Sequence, residues 1–151
     1  MKNNKKGFTL IEMLIVITII GILSALILVG LSSFRMRGRD ARRIADVRQA
    51  QNGLEIYYTK NLKYPTVAAG SPASRWTELT TILTGAGIGL TQIPQDPLAP
   101  DSSYDYKDGN SQQNYVIAVT LEDGDNSSLK NDMDGSIFGI NCDDPAYCVQ
   151  F

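Results

Sequence analysis

The sequence predicts an α+β fold, with one long N-terminal helix whose first half spans a membrane, packed on a small antiparallel sheet. Three observations carry this. An apolar run opens the chain and passes into a stretch with helical apolar spacing. A connector rich in Gly, Ser, Thr and Pro fills residues 61–100. Two β-rich segments, 103–107 and 114–121, lie beyond it. At 151 residues the chain has room for one ordinary domain.

The apolar run, FTLIEMLIVITIIGILSALILVGL, covers 24 residues from Phe8 to Leu31, and Glu12 is its one ionisable side chain. At 1.5 Å per residue it reaches about 36 Å, against a hydrocarbon core of about 30 Å. It holds no Pro, and Gly21 and Gly30 are tolerated in membrane helices. The run is too long for the apolar region of a cleaved secretory signal, and Ser24-Ala25-Leu26 is a poor cleavage site. Lys2, Lys5 and Lys6 precede the run, while Arg35, Arg37, Arg39, Arg42 and Arg43 follow it, so the two flanks compete for the cytoplasmic side. The paired cysteines of the C-terminal region suit an oxidising exterior and favour a cytoplasmic N-terminus with an exported head.

Beyond residue 34 the pattern becomes amphipathic. Ala41, Ile44, Val47, Ala50, Leu54, Tyr57 and Tyr58 recur at spacings of three and four, so residues 35–60 continue the helix with one stripe against the head. Gly38 and Gly53 weaken it by about 1 kcal/mol each relative to Ala. The five arginines of residues 35–43 suit a solvated or lipid-facing collar, carboxylates of neighbouring subunits, or nucleic acid. The acidic head argues against nucleic acid, because residues 1–60 carry +6 and residues 61–151 carry −8 within a net charge of −2.

In the head, residues 75–83 form a short helical candidate with Ser74 as N-cap, and Trp76, Leu79, Ile82 and Leu83 face the core. Asp108-Gly109 begins the turn between the two β-rich segments, and a third short strand is expected near 135–140. Cys142 and Cys148 bracket five residues and read as a disulfide closing a small loop; a two-cysteine metal site would need further ligands. There is no histidine, which excludes imidazole metal sites and histidine-based triads. Nucleophile-elbow, P-loop and dinucleotide motifs are missing, so no enzyme is expected. Acidic residues crowd 122–144, and oxygen-rich loops suit Ca²⁺. Asp123, Asp125, Asp132 and Asp134 are the candidate ligands, against the alternative of solvated carboxylates that keep the head soluble.

Lys5-Lys6-Gly7-Phe8-Thr9-Leu10-Ile11-Glu12 resembles the prepilin signature of type IV pilins and type II secretion pseudopilins. The resemblance implies the pilin fold and a division into a leader 1–7, an assembly helix 8–34, its amphipathic continuation 35–60 and a head 61–151. It implies cleavage between Gly7 and Phe8 by a prepilin peptidase and N-methyltransferase, followed by N-methylation of Phe8. The mature chain would carry −5. It further implies residence in membrane lipid, then polymerisation with identical and minor pilin subunits by an assembly platform and ATPase. Glu12 would pair with the Phe8 amine of a neighbouring subunit. A carboxylate inside an apolar helix costs roughly 2.5–3.5 kcal/mol near the bilayer centre and so needs a partner, unless it snorkels or rests at its own helix N-terminus. Ile93-Pro94-Gln95-Asp96-Pro97 with the Tyr-rich segment after it looks like the major pseudopilin, which implies a Ca²⁺ site in the last loop, although Asp132-Met133-Asp134-Gly135 departs from that loop's pattern. The expected function is a filament subunit of a pilus or a type II secretion system. It would be a single-pass membrane protein with a cytoplasmic leader and exported head, then part of a periplasmic or cell-surface filament. The alternative is a membrane-anchored, Ca²⁺-dependent binding module or adhesin that does not polymerise.

Overall fold

The computed structural model describes residues 7–151, without the side chains of 26–30 and of residue 110. The leader lysines Lys2, Lys5 and Lys6 lie outside the described residues. The chain divides into two compact units, one ending at Met36 and one running from Arg37 to Phe151. Helix α1, Leu10–Asn61, contributes to both.

In the first unit every described side chain from residue 8 to residue 25 is exposed. Leu10 is 86% and Ile11 66% accessible. A helix that is apolar all round has no polar face to give to water, so its cover comes from lipid or from other chains. Among the described residues no helix is long and apolar enough to cross a membrane. The expected span runs through 26–30, so the described apolar part of α1 stops at Ala25, short of the roughly 20 residues a span needs.

In the second unit α1 buries Val47, Ala50 and Leu54, with Ile44, Tyr57 and Tyr58 packed alongside. Ala41, expected on this stripe, is exposed. Asp40, Arg43 and Asp46 are buried in its place, because the head offers ionic partners there rather than apolar ones. Helix α2, Pro72–Gly85, starts three residues before the expected 75. Pro72 is pre-set for a first helical position, and the Ser71 hydroxyl, not that of Ser74, caps the helix by accepting the Ser74 N–H. Trp76, Leu79 and Leu83 face the core, and the Trp76 indole donates to the Pro94 carbonyl at 2.9 Å.

Strands β1 (Asp105–Asp108), β2 (Tyr115–Thr120) and β5 (Ala146–Gln150) form an antiparallel sheet in the order β1-β2-β5. The expected third strand near 135–140 is instead a separate hairpin of β3 (Ser136–Ile137) and β4 (Ile140–Asn141), turning at Phe138 and Gly139, both with positive φ. The third strand of the main sheet is β5. Central strand β2 is covered on both faces. Tyr115, Ile117 and Val119 meet the core built on α1 and α2, while Val116 and Ala118 meet Ile140, Cys142 and Cys148.

Candidate functional site

At the N-terminus the chemistry begins with the start of α1. Thr9 Oγ1 accepts the Glu12 N–H at 3.3 Å, and Glu12 Oε2 accepts the Thr9 N–H at 2.7 Å and the Thr9 hydroxyl at 2.6 Å. This reciprocal pair is a capping box: it satisfies donors that the first turn of a helix leaves open. Glu12 therefore rests at its own helix N-terminus, and Phe8 is 82% exposed. In the uncut chain Phe8 has a peptide nitrogen and no amine.

The second cluster ties α1 to the head inside the second unit. Arg43 is 1% exposed. Its Nε and NH2 donate to Asp96 at 2.8 and 3.1 Å, and its NH1 donates to Asp40 at 2.8 Å and to Glu122 at 2.6 Å. Arg39 meets the same Glu122 through two further hydrogen bonds. Asp40 also accepts the backbone N–H groups of Glu122 and Asp123. Burial works against the Arg43 charge, yet Asp96, Asp40 and Glu122 hold its pKa above the ordinary range. Burial likewise pushes Asp96 up, but Arg43 and the Leu98 N–H together draw it below its usual value. The Arg39 hydrogen bonds, with help from Arg43 and against some burial, bring Glu122 down to about 2. Of the five arginines expected to serve as a collar or to meet other chains, Arg43 and Arg39 are thus engaged inside this one. Arg37 pairs with Asp123 at 3.4 Å and Arg42 with Asp46 at 3.7 Å, both from largely exposed positions where such pairs are worth little. Nothing in the sequence singled out Asp96 as the Arg43 partner, although it stands in the quoted Ile93–Pro97 segment.

The third cluster lies at the end of the chain. Cys142 and Cys148 form the expected disulfide, and both are fully buried. Asp132, Asp134 and Asp144 each place a carboxylate oxygen within 4.8 Å of the others. Asp123 and Asp125 stand apart from this group: Asp123 takes the Arg37 ion pair and the Asp125 N–H. Asp144, which sequence reasoning left out, completes the cluster because the disulfide loop carries it back. Asp132 Oδ2 accepts the Cys148 N–H at 2.9 Å, while its Oδ1 is buried and has no hydrogen-bond partner. Burial, with the nearby Asp134 and Asp144 charges, raises the Asp132 pKa despite that N–H. An all-oxygen donor set with one orphaned buried oxygen fits a hard cation such as Ca²⁺.

An open cleft of about 180 Å³ beside Trp76 and Tyr104 has Asp96 as its one carboxylate, and Arg43 already engages that group.

Residues 2–28 match the family described as the prokaryotic N-terminal methylation motif. The type II secretion system core protein G of Aeromonas hydrophila is 33% identical over 104 residues, which are 64% of this chain and 69% of that protein. The core protein G of Klebsiella michiganensis is 31% identical over 111 residues, 66% of this chain and 72% of that one. The type IV wide pilus major component PilA4 of Thermus thermophilus is 44% identical over 61 residues, 40% of this chain and 47% of that protein. No solved structure matches. With its methylation motif, its long helix and small antiparallel sheet, and a likeness to core protein G that extends well past the helix, this chain belongs to the type II secretion core protein G family, the major pseudopilins.

Proposed function

We propose that the chain is the major subunit of a type II secretion pseudopilus, anchored in the membrane by α1 until it enters the filament. The observation that carries this reading is the extent of likeness. The core protein G of Aeromonas hydrophila and that of Klebsiella michiganensis match over about two thirds of the chain, helix and head together, whereas the pilus component PilA4 matches over 40%. The test is deletion of the coding sequence in its host. Loss of exported enzymes with surface pili unchanged supports the secretion reading; loss of pili with secretion unchanged supports the pilus reading.

In this account a prepilin peptidase and N-methyltransferase cuts after Gly7 and methylates Phe8. The new amine then offers Glu12 of an adjacent subunit a charged partner in place of Thr9. Exchanging one hydrogen-bonded partner for another keeps the carboxylate satisfied as the helix leaves lipid for the filament core. Sister helices take the place of lipid around the all-round apolar helix, and a heterologous contact of this kind propagates into an open helical filament. Other pilin-type subunits and the assembly machinery are the partners, and no catalytic role is proposed. Asp132, Asp134 and Asp144 would hold Ca²⁺, whose charge would offset three carboxylates crowded at the end of the head.

A further inference from the structure

We infer that the Cys142–Cys148 disulfide is a redox-sensitive positioning element for a divalent cation at Asp132, Asp134 and Asp144, so that cation binding and the disulfide stabilise each other. This rests on the cation site proposed above. The three carboxylates come from two stretches of chain, 132–134 and the disulfide loop. Like charges this close repel, and something must keep them together before a cation arrives. The acidic cluster is joined by a second sign of a ligand, the buried Asp132 Oδ1 that no donor reaches.

The two cysteines flank the loop that brings Asp144 in, and the backbone at each of them is tied to the 132–135 stretch. At one end, the Cys148 N–H donates to Asp132 Oδ2 at 2.9 Å. At the other, the Cys142 N–H donates to the Gly135 carbonyl at 2.8 Å, just beyond Asp134. Between them the loop returns Asp143 Oδ1 to the Gly135 N–H at 3.1 Å, and Asp144 follows directly. Both sulfurs sit in a small apolar cluster with Val116, Ala118 and Ile140, so the bond is fixed in the body of the head. Reduction by a dithiol breaks the S–S bond, delivers two electrons and two protons to yield the Cys142 and Cys148 thiols, and leaves the dithiol as its own disulfide. Strand β5 remains paired to β2 from Gln150 back to Ala146, which keeps the Cys148 amide in place. Pro145 likewise keeps the Leu121 N–H on its carbonyl at 2.9 Å, so what the cross-link alone adds is closure of the loop around Asp144.

Residues that orient metal ligands are typically worth 10–100-fold in affinity. The expected effect is therefore a Ca²⁺ dissociation constant at least about tenfold weaker once the cross-link is gone. Linkage requires the same factor in reverse, with saturating Ca²⁺ shifting the dithiol equilibrium about tenfold toward the disulfide. The experiment titrates CaCl₂ calorimetrically into the full processed chain in detergent, as oxidised wild type, as C142S/C148S and as D144N. Binding by wild type, weaker binding by the double serine variant and loss in D144N support the inference. Equal binding by wild type and the double variant overturns it and leaves the cation site standing. No binding by oxidised wild type overturns the cation site and the inference with it. If the double variant unfolds, the dithiothreitol equilibrium of wild type with and without CaCl₂ decides: a shift toward the disulfide, missing in D144N, supports the coupling, and no shift overturns it.

Discussion

The Arg43 guanidinium faces Asp96 edge-on, with Nε to Oδ2 at 2.8 Å and NH2 to Oδ1 at 3.1 Å, and both residues are buried. The two lie 53 positions apart, so the pair fastens α1 to the segment that leads into the sheet. Its remaining N–H groups reach Asp40 and Glu122, so a buried charge is matched by several acceptors.

Removing one side of this arrangement leaves buried carboxylates without their cation. Arg43→Ala is expected to destabilise the head by about 3–5 kcal/mol, the usual range for breaking a buried pair. Urea unfolding followed by the fluorescence of Trp76, the one tryptophan, measures it. Arg37→Ala, where the arginine is largely exposed, is expected to cost under about 1 kcal/mol in the same assay.

Acid should weaken the same fastening. Glu122 titrates at about 2 in the folded chain against its ordinary 4.5, and Asp96 is also drawn below its ordinary 3.8. Each folded carboxylate thus binds fewer protons than its unfolded counterpart. Its contribution is full above the ordinary value and disappears as pH falls through the folded one. The urea midpoint is expected to drop from pH 5 to pH 2. In Glu122→Gln the midpoint should be lower at pH 7 and its fall with acid shallower.

Gly109 sits where the loop after β1 meets the β3–β4 hairpin. A Cβ there would collide with the Asn114 amide oxygen and the Phe138 ring. Gly109→Ala is expected to cost about 1–3 kcal/mol through displaced packing. Gly38 has open space around it, and Gly38→Ala is expected to be neutral or stabilising by up to about 1 kcal/mol. Thermal unfolding of the two variants separates these outcomes.

At the N-terminus, Glu12→Ala removes both the capping partner of Thr9 and the charge available to a neighbouring amine. The variant should be processed and membrane-inserted yet absent from sheared filaments. Thr9→Ala removes the side-chain half of the box and is expected to assemble. Immunoblots of the sheared and membrane fractions check both.

Much of this was legible in the sequence because it rests on local rules. The 24-residue apolar run and the spacing of Val47, Ala50 and Leu54 specify one helix, and Cys142 with Cys148 close the loop that their spacing suggests. What stayed hidden depends on long-range pairing. Arg43 looks like any other arginine of a basic stretch until the chain brings Asp96 and Glu122 to it. Strand β5 is short and shares its residues with the disulfide loop, so its pairing with β2 leaves no periodic signal. Asp144 joins Asp132 and Asp134 only because that loop folds back. The start of α2 was readable: Ser71-Pro72 is a stronger N-terminal signal than Ser74.

The central claim, that this chain is cut at Gly7 and built into a filament through its N-terminal helix, is tested most directly by N-terminal mass spectrometry of sheared filaments. The expected result is a chain that begins with N-methylated Phe8. A chain that begins at Met1, or a sheared fraction that lacks it, would contradict the account.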